Sequence, residues 1–84
     1  MMRCMITFRS VTPAQRGEGA LKRKGISCNL GRTPKQLQEQ GCGYSIHLSC
    51  NQIPEAVKIF RENGIAFRKV YMRRENGTVE EMSV

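Results

Sequence analysis

Two stretches of this chain alternate between apolar and polar residues, and two others repeat apolar residues at helical spacing. In "RCMITFR", Cys4, Ile6 and Phe8 fall on one side of an extended chain and Arg3, Met5 and Thr7 on the other, which predicts a strand. "YSIHLSC" alternates more cleanly: Tyr44, Ile46, Leu48 and Cys50 face one way, Ser45, His47 and Ser49 the other. The best helix is "NQIPEAVKIFRENG", with Ile53, Ala56, Val57 and Phe60 as its inner stripe and Gly64 closing it. "SVTPAQRGEGALKRKG" gives a weaker stripe of Ala14, Ala20 and Leu21. Ser10 or Thr12 can cap it, Pro13 suits its first turn, and Lys22, Arg23 and Lys24 before Gly25 suit its end. Gly17 and Gly19 each cost about 1 kcal/mol relative to alanine inside a helix, so packing must hold this one.

Shorter signals fill the gaps. "ISCNLG" reads as a short strand and "IAFRKVYMRR" as the last core strand. "TPKQLQEQG" has its own start and stop: Thr33 as N-cap, Pro34 in the first helical position, Gln36 completing a capping box, and Gly41 as the end. The order is strand, helix, strand, short turn, strand, helix, strand. It predicts an α+β fold, a ferredoxin-like split βαβ sandwich with a four-stranded antiparallel sheet and two helices on one face. Residues 1–84 are expected to form a single domain. Residues 75–84 continue the last strand through an Asn76-Gly77 hairpin turn or trail as a tail.

Charge narrows the partners. Fourteen Lys and Arg against seven acidic residues, with no aspartate, give a net charge of +7. Such a balance favours a polyanion, either RNA or an acidic protein, or else simply coats a small protein with solvated cations. "KRK" at 22–24 and "RR" at 73–74 are the tight clusters, and neither is interleaved with aromatics as a base-stacking surface would be. No apolar run approaches the roughly 20 residues of a membrane helix, and the opening residues do not read as a signal peptide. The expected location is therefore cytoplasmic, away from the membrane, with the four cysteines reduced. The sequence leaves the oligomeric state open.

Cys42 is the sharpest chemical feature. It stands between Gly41 and Gly43, which cannot shield its sulfur and which free the backbone. Arg32 and Lys35 lie ten and seven residues upstream, near enough across a short turn to favour a thiolate. The competing reading is a tight turn that buries a small thiol. Cys4 and Cys50, on the apolar phases of their strands, read as small core residues, and Cys28 as a second thiol that could approach Cys42. His47 reads as a surface histidine. A shared metal site with Cys42 and Cys50 would need both faces of one strand, so no metal is expected. No phosphate-binding glycine loop or paired-carboxylate motif is present, so neither a cofactor nor stand-alone enzyme activity is expected.

The ordered series "MITF", "GRTPKQLQEQ", "GCGYSI" and "FRENGIAFRKVY" resembles a family of small selenium/sulfur carrier-like proteins over roughly residues 3 to 72. The resemblance implies that Cys42 holds sulfur or selenium as a persulfide or perselenide. A donor such as a cysteine desulfurase would supply it and an acceptor enzyme would take it, by exchange between thiols. It gives no role to Cys4, Cys28 or Cys50. The alternative function is a small basic module for RNA or an acidic protein partner.

Overall fold

The computed structural model describes residues 3–33 and 43–83. The short helix expected after Thr33, together with Lys35, Gly41 and Cys42, lies outside the described residues. The elements are β1 (Arg3–Phe8), α1 (Val11–Arg23), β2 (Asn29–Arg32), β3 (Tyr44–Ser49), a 3-10 turn at Cys50–Gln52, α2 (Ile53–Glu62), β4 (Val70–Arg73) and β5 (Val79–Met82). The sheet runs β2-β3-β1-β4-β5, and every neighbouring pair is antiparallel.

The α+β class holds, with two helices and an antiparallel sheet. The sheet has five strands rather than the four expected, so the ferredoxin-like description fits in outline only. The fifth strand forms because the Asn76-Gly77 turn closes a hairpin. Gly77 adopts φ 89°, a left-handed conformation that glycine takes without steric cost. Asn76 Oδ1 accepts hydrogen bonds from the Thr78 amide and hydroxyl at 3.0 and 2.7 Å, and Arg74 N–H donates to Thr78 O at 2.8 Å. An Arg74–Glu80 ion pair at 2.9 Å ties the two strands beyond the turn.

The core follows the alternation. Ile6, Ile46 and Val70 lie side by side in register on the central strands and are fully buried. Ala14, Ala20 and Leu21 of α1 and Ile53, Ala56, Val57, Ile59 and Phe60 of α2 pack in the same cluster. Phe60 anchors its centre, meeting Phe8 edge-on at 5.7 Å and Phe67 at 5.8 Å between ring centroids. Gly17 seats α1. A Cβ built there would lie 3.1 Å from Ile46 Cδ1 and 3.1 Å from Phe60 Cε1, so a side chain here would crowd the core.

Both helices stop alike. Ile26 N–H donates to Leu21 O and Gly25 N–H to Lys22 O, at 2.9 and 3.0 Å; Ile65 N–H donates to Phe60 O and Gly64 N–H to Arg61 O, at 2.9 and 3.4 Å. These are Schellman pairs around a left-handed glycine, and each delivers a buried isoleucine back to the core. Ser10 occupies the N-cap of α1 in an extended conformation, without a side-chain cap bond.

Two boundaries depart from the sequence reading. β2 starts at Asn29, three residues after Ile26, because Ile26 is spent closing α1. β4 begins only at Val70, although Arg68 and Lys69 still exchange backbone hydrogen bonds with Thr7, each at 2.8 Å. On the edge strand β2, Leu30 N–H points at α1 and donates to Glu18 Oε2 at 3.1 Å, which covers an otherwise open donor.

Candidate functional site

The β2–β3 hairpin carries the segment that holds Cys42. Its register pairs Asn29 with His47, Leu30 with Ile46, Gly31 with Ser45 and Arg32 with Tyr44. One step further, Thr33 N–H donates to Gly43 O at 2.9 Å. The described residues on either side of the 34–42 segment are therefore held together at a fixed base, and Gly43, next in sequence to Cys42, is part of that base. The Arg32 guanidinium lies over the Tyr44 ring, 5.6 Å from its centroid. That contact holds one permanent cation at the mouth of the hairpin. Of the predicted site residues, Arg32 and Gly43 are thus brought together; Gly41, Cys42 and Lys35 lie outside the described residues.

Cys28, the suggested second thiol, precedes β2. It is 6% exposed and packs in the core cluster. Burial pushes its thiol upward first, and the Glu18 carboxylate adds to this, against a smaller opposing pull from Lys22. A thiol held protonated and covered is a weak nucleophile, so this setting suits packing better than exchange.

The other two cysteines overturn an expectation. Cys4 and Cys50 are joined in a disulfide rather than reduced and separate, with Cα atoms 4.9 Å apart. The cause is the register. Cys4 lies opposite Leu48, and the chain turns at Cys50 into the 3-10 turn, so Cys50 does not continue the β3 alternation but folds back toward the start of β1. Met82 Sδ lies 3.5 Å from Cys4 Sγ and caps the pair from β5. The sequence did hold a signal for this pairing: one cysteine opens the first strand and another closes the third. Only the antiparallel β1–β3 pairing makes those two ends neighbours.

The aromatic positions bear on nucleic-acid binding. Phe67 packs against the core, and Tyr71, on the face away from the helices, is only 7% exposed. Neither offers a free ring for base stacking. His47, expected at the surface, is half-buried, and Ser45 Oγ lies 3.0 Å from its Nε2. Among the described residues, no helix is long and apolar enough to cross a membrane, and no group of three or more His, Cys, Asp or Glu is placed to hold a metal ion.

The described residues form a two-helix α+β scaffold in which the Gly41-Cys42-Gly43 step follows β2 and precedes β3 in the sequence. Residues 3–72 match the family described as "Putative Se/S carrier protein-like", and the chain belongs to that family. The match contains Arg32, Lys35 and the whole Gly41-Cys42-Gly43 step, and it ends at Met72 within β4, before the turn and β5. No curated protein matches the chain.

Proposed function

We propose that the protein carries sulfur or selenium on Cys42 as a persulfide or perselenide and passes it between partner enzymes in the cytoplasm. The Cys42 thiolate attacks the terminal sulfur of a donor persulfide. A new S–S bond forms at Cys42, and the donor thiolate leaves with the electron pair. Attack by an acceptor thiolate on the outer sulfur then returns Cys42 to thiolate. Neither step needs an external oxidant or reductant, and both depend on thiolate fraction and access.

The observation that carries this reading is the family match across the Cys42 segment, set on a hairpin base that fixes Gly43 and the Arg32 cation beside it. A cation near an anionic persulfide stabilises it, and neither neighbour of Cys42 in the sequence has a side chain with which to cover a sulfur. Cys28, whose thiol burial holds protonated, and Cys4, at 1% exposure, are both covered and poorly fitted for exchange.

Incubation with a cysteine desulfurase and cysteine tests this. Intact-mass analysis should show a gain of one sulfur atom on the wild type, reversed by reductant, and no gain on Cys42→Ala. An equal gain on Cys42→Ala would place the sulfur elsewhere. Arg32→Gln should lower the rate of loading while leaving its final extent unchanged.

A further inference from the structure

The face of the sheet turned away from the helices carries a cluster that the carrier reading does not use. Arg3 on β1 and Arg73 on β4 stand directly opposite each other in register. Like charges placed so on one sheet face repel and destabilise the pairing. Nothing among the described residues offsets them. The neighbouring carboxylates are committed elsewhere, Glu80 to Arg74 at 2.9 Å and Glu81 to Lys69 at 3.4 Å. Neither Arg3 nor Arg73 makes an ion pair among the described residues.

His47 stands close by. It is opposite Met5, the next residue along that face from Arg3, and it joins both arginines in lining a cavity of about 320 Å³. Met5, 2% exposed, gives the cavity an apolar floor, and Asn29, Leu30 and Gly31 of β2 form one wall. The ring is positioned on two sides. Ser45 Oγ holds Nε2 at 3.0 Å, and Gly31 leaves room beside it, since a Cβ there would lie 3.4 Å from His47 Cδ2 and Nε2.

We propose that Arg3, Arg73 and His47 form a binding site for a phosphate-class oxyanion, either the free ion or the phosphate group of a small monoester. Two guanidinium groups lining one concavity suit a tetrahedral oxyanion, which can accept from both. An anion between them converts their repulsion into attraction. It also reverses the field on His47, whose protonation is held down by burial and then by Arg3 and Arg73. The charged groups facing His47 are these two arginines; β2 contributes Asn29 and Gly31, and its own strand Ser45, all uncharged. Binding at a fixed ligand charge is therefore expected to raise the pH at which His47 titrates.

NMR of the isotope-labelled full chain tests this by following the His47 ring and the β1 and β4 amides at constant ionic strength. Inorganic phosphate should give saturable shifts centred on His47, Arg3 and Arg73 where chloride gives none, and AMP should compete for the same resonances. Arg3→Gln and Arg73→Gln, both at exposed positions, should each weaken phosphate binding about ten-fold or more while leaving the amide spectrum folded. Phosphate should also move the His47 titration upward in the wild type and much less in the arginine variants. Non-saturating shifts, or saturable binding unchanged in both variants, would overturn the site. So would binding of a single-stranded oligonucleotide alone, falling steeply with salt, because the face would then serve a polymer backbone. Loss of Cys42 loading has no bearing on these outcomes, so this site and the carrier reading stand or fall separately.

Discussion

His47 shows how one residue's environment sets a pH response. Burial and the two flanking arginines lower its folded-state affinity for protons below the ordinary value of 6.5. In the unfolded chain the ring titrates normally. As pH falls through about 6.5 the unfolded state takes up a proton that the folded state refuses, so folding stability declines toward acid. Above that pH the ring is neutral in both states and contributes no slope. His47→Gln should flatten this part of the stability–pH curve, and Arg73→Gln should shift it toward lower slope by removing one of the repelling charges. Urea unfolding at a series of pH values from neutral to mildly acidic, in chloride buffer, reads both. An identical curve for wild type and His47→Gln would show that the ring titrates alike in both states.

At the scale of elements, α1 separates two glycines that look equivalent in the sequence. Gly17 is buried against Ile46 and Phe60, both fully buried, whereas the space around Gly19 is open. Gly19→Ala should therefore stabilise the protein by about 1 kcal/mol through helix propensity alone. Gly17→Ala gains the same propensity, but its methyl would meet buried Ile46 and Phe60 at 3.1 Å, so both must give way, an overpacking cost of about 1–3 kcal/mol. Chemical denaturation should rank Gly17→Ala at least about 1 kcal/mol below Gly19→Ala, and equal stabilisation by both would disprove the close seat. The sequence showed that this helix needed packing but not which glycine supplied the contact, because that depends on where α1 crosses β3 and α2. The helix ends were legible, since Gly25 and Gly64 follow their last apolar residues and local chemistry settles them. The fifth strand was half-legible. Its Asn-Gly turn is a local signal, but "TVEEM" is mostly exposed, and only pairing with β4 makes it a strand. The thiol segment stood out as a motif and, through Arg32 and Gly43, as a hairpin base. The Arg3–Arg73–His47 cluster was not legible, because strand phase gives the face and only register gives the neighbour.

Across the whole molecule, the Cys4–Cys50 bond links the start of β1 to the junction between β3 and α2, closing a loop of 46 residues. That loop contains α1, β2 and the Cys42 segment. Four cysteines allow three pairings, and sequence alone does not choose among them. The β1–β3 register chooses, and it leaves Cys42 outside the bond. Constraining an unfolded loop of this length is worth about 2–4 kcal/mol, a large share of the stability of a chain of 84 residues. Reductant should therefore lower the urea midpoint of the wild type, and the double variant Cys4→Ala/Cys50→Ala should unfold at the lowered midpoint with or without reductant. Performing the comparison in a Cys42→Ala background removes the Cys42 thiol as a route to reshuffling the bond during unfolding. An unchanged midpoint on reduction would mean that sheet pairing alone holds β1 and β3 together. In a reducing compartment the same pair is expected as a dithiol, with Cys50, half-exposed beside Ile53 and Met82, as the sulfur that reacts first. Timed alkylation followed by mass analysis would then label Cys50 before the buried Cys4.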